Sequence, residues 1–148
     1  MPAITLAPDA PCPCRAGSAK ALTYSACCGR YHAGPQHLLA PDAEQLMRSR
    51  YTAYVLRDTA YLLATWLPDT CPADLDLDAD PAGLQWLGLD VRQHTPQDDT
   101  HATVHFIARS KFGGRAQRME ELSRFVRADG HWLYVDGDLA GTPPRPRR

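Results

Sequence analysis

The sequence predicts an α+β fold in which a twisted antiparallel sheet wraps onto helices supplied by the first half of the chain. Three observations carry this. A helical stretch with a marked start begins at Asp42, β-patterned segments separated by short turn signals fill the chain from residue 84 onward, and a cysteine-rich segment without sustained hydrophobic period precedes both. At 148 residues, with 44% hydrophobic and 22% charged, the chain has a one-domain length and an ordinary globular composition. A domain of that size buries roughly 70% of its unfolded surface, enough for a real core.

The helix start is legible because Pro41-Asp42 is followed by Gln45. Asp42 is placed to accept from orphan N–H groups of the first turn, and Gln45 to return a bond. On a 3.6-residue period, Met47, Tyr51, Tyr54, Val55, Tyr61 and Leu62 gather on one face. Ser49, Thr52 and Leu56 lie largely opposite, with Arg48 and Arg50 on the borders. Asp58-Thr59 predicts the cap of a second short helix ended by Pro68. An acidic, proline-punctuated connection follows over residues 68–82, with Asp80 and Pro81 suited to cap and open a helical turn. The segments LQWLGLDVRQH, THATVHFIARS, RAQRMEELSRFVR and HWLYVD then read as strands. Gly113-Gly114 and Asp129-Gly130 supply hairpin turns.

Four of the five cysteines fall in the segment CPCRAGSAKALTYSACCGRYH at residues 12–32. Cys12-Pro13-Cys14 and the vicinal Cys27-Cys28 form a poor disulfide framework, but two close thiolate pairs can converge tetrahedrally on one zinc ion. Zinc also supplies what the segment lacks. Leu22, Tyr24 and Tyr31 are too few to close a core, and a structural zinc site contributes ~10 kcal/mol or more to folding.

The pattern of Cys-Pro-Cys, a Gly/Ser-containing stretch, Tyr and Cys-Cys-Gly resembles the SEC-C motif, a zinc-binding module known at the C-terminus of the translocation ATPase SecA. The resemblance implies Cys12, Cys14, Cys27 and Cys28 as ligands of a structural Zn2+. Twelve residues separate Cys14 from Cys27, more than is usual in the family, and Arg15-Ala16 interrupts the usual Gly-Ser-Gly. A longer loop changes closure entropy little. His32, four residues after Cys28, is the alternative ligand in place of one member of the vicinal pair.

LMRSRYTAYVLRDTAYLLATWLP, with WLGLDV, VHFIAR, EELSRFVR and WLYVDG, resembles the YchJ family of bacterial proteins over most of residues 12–137. The resemblance implies a middle domain of NTF2-like (cystatin-like) fold, whose curved antiparallel sheet and helices enclose a cone-shaped cavity. The expected organisation is a flexible lead-in at 1–11, the SEC-C motif at 12–37, the NTF2-like domain at 38–138 and a disordered basic tail at 139–148. Around the cavity it implies Arg48, Arg50, Tyr51, Tyr54, Trp66 and Trp86, with Arg109, Glu121, Ser123, Arg124, Tyr134 and Asp136 from the strands. Two readings of that set stand: structural ion pairs with satisfied tyrosines, or a pocket for an anionic or aromatic small molecule. Many relatives carry Trp-His-Pro where this chain has Trp66-Leu67-Pro68. An obvious imidazole acid/base group is thereby lost.

Other constellations are weaker. Asp74, Asp76, Asp78 and Asp80 alternate as in a calcium loop, but Ala79 and Gln85 stand where that loop needs glycine and a bidentate glutamate. His101 and His105 share a strand face without a third ligand, and Cys71 has no base or cation nearby in sequence. A net charge of −1 gives no global attraction to nucleic acid. No apolar run approaches the ~20 residues of a membrane span, and the N-terminus lacks the features of a secretory signal, so a reducing cytoplasm is the expected compartment. These readings lead to a non-enzymatic binding or adaptor protein that docks a protein partner through the zinc motif. The alternative is a small isomerase- or dehydratase-like enzyme with Asp136, Glu121 or a tyrosine as base. A cavity carboxylate without an arginine partner favours the enzyme, and full pairing favours the binder.

Overall fold

In a computed structural model of the chain, residues 6–15, 21–72 and 84–139 are described. The acidic run with its Asp80-Pro81 cap and calcium-like alternation, and the basic residues from 140 onward, lie outside them. Two 3-10 turns, Pro13–Arg15 and Tyr24–Ala26, precede helices α1 (Gly29–His32), α2 (Ala43–Leu56) and α3 (Thr59–Ala64). Strands β1 (Gln85–Pro96), β2 (His101–Phe112), β3 (Arg115–Ala128) and β4 (His131–Leu139) follow. They form one antiparallel sheet in the order β1-β2-β3-β4, the meander expected from the sequence.

Local chemistry explains the boundaries. The Asp42 carboxylate accepts the Gln45 N–H at 2.8 Å, and the Asp58 carboxylate caps α3 by accepting the Tyr61 N–H at 3.1 Å. A returning bond from the Gln45 side chain is not among those the described residues make. The β2–β3 and β3–β4 turns place both central residues at positive φ: Gly113 at 59° and Gly114 at 77°, then Asp129 at 52° and Gly130 at 79°. Such turns match the right-handed twist of a tight hairpin. Register shifts in β1 at Trp86/Gly88 and Val91/Gln93, and one where β3 meets β4 at Arg124/Phe125, curve the sheet around α2. The segment after α3 covers the free edge of β4. Leu67 N–H donates to Tyr134 O, and Tyr134 N–H to Thr65 O, both at 2.8 Å.

α2 is buried on two sides. Met47 and Tyr51 pack into the core, while Ser49, Thr52 and Leu56, opposite them on the helical period, are buried as well. The cysteine segment covers part of this second side. It is anchored there by polar bonds as well as by packing.

Candidate metal centre and cavity

The first half of the cysteine segment is folded back on the second. Pro11 bridges Thr23, Cys12 N–H donates to Leu22 O at 2.9 Å, and Tyr24 N–H to Ala10 O at 2.8 Å. Cys14 sits in the first 3-10 turn, Cys27 closes the second, and Cys28 is the N-terminal cap residue of α1. This brings all four sulfurs within 4.8 Å of one another, each residue at most 1% exposed. The resolved Sγ–Sγ separations are 3.7 Å for Cys12–Cys14, 3.5 Å for Cys14–Cys27 and Cys14–Cys28, and 4.0 Å for Cys27–Cys28. A disulfide needs ~2.05 Å. Sulfurs at ~2.3 Å from a tetrahedral zinc stand about 3.8 Å apart, so the cluster has the dimensions of a metal cage.

Electrostatics points the same way. Hydrogen bonding from Cys14, then from Cys28, holds the Cys12 thiol down at about 6, and bonds from Cys12, Cys14 and Cys28 hold Cys27 far lower still. The hydrogen bond with Cys12 pushes Cys14 up, and burial pushes Cys28 up. Deprotonated sulfur is thus favoured at Cys12 and Cys27, and a divalent cation among the four can displace the protons that remain. Polar groups of α2 reach the cluster. Thr52 Oγ1 donates to Cys28 Sγ at 3.2 Å, and Arg48 Nη1 donates to Cys14 O at 3.1 Å while its Nε pairs with Glu44 at 3.1 Å. Burial works against the Arg15 charge, but the Cys27 thiolate beside it raises its pKa overall. His32 gives no atom to the cluster: Nδ1 lies 2.6 Å from Tyr24 OH and Nε2 2.8 Å from Ser49 O. Since a carbonyl only accepts, Nε2 carries the proton and Nδ1 accepts from Tyr24.

On the other side of α2 lies a cavity of about 340 Å³. The structure brings Arg50, Tyr51, Tyr54, Trp66, Trp86, Glu121, Ser123 and Tyr134 to its wall, and adds Met47, Leu84, Phe106, Ala108, Met119 and Phe125, which sequence reasoning did not single out. Inward alternation of β2 and β3 was the signal that could have found the last four. Arg50 is only 4% exposed. Its Nη1 donates to Leu62 O at 3.0 Å and Thr65 Oγ1 at 2.7 Å, and its Cζ lies 4.8 Å from the Trp66 ring centre and 4.7 Å from that of Tyr134. Glu121 Oε1 accepts from Ser123 Oγ at 2.6 Å and Tyr134 OH at 3.0 Å. Neither Arg50 nor Glu121 is ion-paired among the described residues.

Four expected cavity residues lie elsewhere. Arg48 faces the cysteines, and Arg109 is exposed on β2. Arg124 turns outward, where its Nε donates to Asp136 at 2.5 Å and its Nη1 to Asp138 at 2.8 Å, which takes Asp136 out of the cavity as well. His105 pairs with Glu120 and His101 with Asp98 on the sheet surface. Among the described residues, the four cysteines are the only group placed to hold a metal ion.

A buried four-cysteine knuckle packed on a helix, whose other side faces a cavity under a curved meander sheet, defines a SEC-C-type motif joined to an NTF2-like domain. The sequence model of the family described as "YchJ, middle NTF2-like domain" matches residues 42–137. A UPF0225 protein of Ralstonia nicotianae is 58% identical over 142 residues, covering 90% of this chain and 94% of the relative. The chain belongs to this YchJ-like, UPF0225 family. The crystal structure of a SEC-C motif containing protein from Psychrobacter arcticus superposes with a TM-score of 0.73 at 33% identity, over 93% of this chain and 86% of that one. The solution structure of a SEC-C motif containing protein from Rhodopseudomonas palustris gives 0.68 at 35% identity, over 81% and 94%.

Proposed function

We propose that the chain is a zinc-stapled binding module, in which Cys12, Cys14, Cys27 and Cys28 hold a structural zinc ion and the cavity receives a small molecule. The observation carrying the binding half is Arg50, a buried guanidinium with no salt-bridge partner among the described residues. A buried charge without a counter-ion costs several kcal/mol, and a fold that keeps one inside a cavity has a use for it. The zinc half rests on the tetrahedral spacing of the sulfurs. Their burial leaves the ion no open position for chemistry, so its part is to hold the knuckle on α2. A recess beside the knuckle, about 430 Å³ and lined by Pro8, Tyr24, Arg30 and Ala33 among others, is where the same proposal seats a protein partner.

Native mass spectrometry of the protein, purified and then incubated with bacterial extract, tests both halves. One zinc increment and one retained small molecule are expected, with zinc lost from Cys27→Ser/Cys28→Ser. A full zinc complement in that double variant overturns the metal assignment. An extract that adds no mass overturns the binding role.

One observation favours the enzymatic reading. Glu121 lies in a mainly apolar cavity without an arginine partner, held by two hydroxyls, as a general base would be. An isomerase or dehydratase of this kind loses turnover in Glu121→Gln while retaining the substrate.

A further inference from the structure

Two charged groups of opposite sign face one cavity without pairing to each other, and a single residue, Tyr134, touches both. The face of the Tyr134 ring lies against the Arg50 guanidinium, 4.7 Å from Cζ to the ring centre, and the hydroxyl of that ring donates to Glu121 at 3.0 Å. One ring thus touches the cation with its face and the carboxylate with its hydroxyl. Nη1 of Arg50 is committed to Leu62 O and Thr65 Oγ1, and no acceptor among the described residues takes the N–H groups of Nε and Nη2. Beside it, the indole Nε1 of Trp66 is buried and also lacks an acceptor among the described residues. The unused N–H groups of Arg50 and the Glu121 carboxylate thus serve one cavity, one as donor and one as acceptor. The wall between is aromatic, from Tyr51, Tyr54, Trp86 and Phe106.

From this we infer that the cavity recognises a small aromatic carboxylate bearing a hydrogen-bond donor at its far end. The acid lies on Arg50, the ring among the aromatic walls, and the distal hydroxyl or amine donates to Glu121. Guanidinium and carboxylate are geometrically matched for paired N–H···O bonds, and low local polarity strengthens them. Gly137 on β4 belongs to the same design, because a side chain there would overlap the Glu121 carboxyl. The inference deepens the binding role proposed above and rests on it.

Three probes distinguish the parts: 4-hydroxyphenylacetate, phenylacetate without the distal donor, and 4-hydroxyphenylacetamide without the charge. Each is titrated into 15N-labelled, zinc-loaded protein while the Trp66 and Trp86 indole N–H signals are followed. For the hydroxy acid a dissociation constant of ~1 mM or tighter is expected, with both indole signals moving as an aromatic ring enters beside them. The amide is expected to bind at least tenfold more weakly and phenylacetate several-fold more weakly. In Arg50→Met the preference for acid over amide disappears, and in Glu121→Gln the advantage of the hydroxyl falls. Should Arg50→Met fail to fold, the acid–amide comparison in the wild type decides alone. Equal affinity for acid and amide overturns the inference while leaving a binding cavity in place. Indoles unmoved by all three probes at ~10 mM also overturn it, and retention from extract judges the binding role separately.

Discussion

At Gly137, one missing methyl group decides where a charge sits. Ser123 pairs with Gly137 across β3 and β4, and a Cβ at 137 would occupy the space of the Glu121 carboxyl. Gly137→Ala therefore swings Glu121 away and strips the buried Ser123 hydroxyl of its acceptor. A loss of about 1–3 kcal/mol is expected from the urea midpoint, the cost of leaving such groups unpaired. An unchanged midpoint would show that Glu121 relaxes without loss. His32 gives a prediction with a pH sign. Burial, opposed by its bond to Ser49, holds its pKa below the ordinary 6.5, so the unfolded chain takes up a proton near that pH that the native ring resists. The native state binds fewer protons, and stability that is full above 6.5 is lost as pH falls below it. In His32→Gln, the fall in urea midpoint from pH 7 to 5 is expected to be shallower than in the wild type. An equally steep fall would show that His32 titrates as an exposed imidazole.

At the scale of elements, Asp42 is the most local determinant. Asp42→Ala leaves the Gln45 N–H without its acceptor and is expected to cost about 1 kcal/mol in thermal or urea unfolding, without altering zinc content. Helix caps and the two tight hairpins were legible because each is set by residues close in sequence. The second buried side of α2 was not. Ser49 and Thr52 read as a polar side, yet Ser49 Oγ bonds Leu46 O and Tyr61 OH while Thr52 reaches the cysteine sulfurs, partners 12 and 24 positions away or supplied by the helix itself. Arg48 was misplaced for the same reason, its partner Cys14 O lying 34 positions back. Asp136 failed through a bulge. Tyr134 faces the cavity, so strict alternation would send Asp136 there too, but the register slips between Arg124/Phe125 and turns Asp136 outward onto Arg124. Sequence spacing cannot reveal a slip of that kind. The convergence of Cys12, Cys14, Cys27 and Cys28, by contrast, was readable because two close thiol pairs in a segment with few apolar residues suit one shared site.

For the whole molecule, the knuckle and the sheet share one helix, so an ion bound by the four cysteines would be coupled to the fold. Cys28 receives the Thr52 hydroxyl, Arg48 holds the Cys14 carbonyl, and His32 is bonded to Ser49 O, so three contacts distribute the cysteine segment along α2. Without the ion, four buried sulfurs must share thiols and thiolates, and Cys14 and Cys28 keep their protons well above the ordinary thiol range. Loading a divalent cation releases those protons, so occupancy falls as pH falls. Removing zinc with a strong chelator is expected to release the segment and uncover Thr52, Ser49 and their apolar neighbours, while the sheet keeps its ladder. A loss of ~3 kcal/mol would lower Tm by about 10 °C in a chain of this size. Hydrogen exchange gives the sharper test. The Cys12 and Tyr24 amides, which close the knuckle onto Leu22 and Ala10, should lose protection on chelation, whereas Val104 and Phe106 in the central strand β2 should keep most of theirs. If both sets fade together, the ion stabilises the domain as one cooperative unit. If neither changes, the four sulfurs hold their geometry by packing alone, and the role of zinc as a staple is refuted.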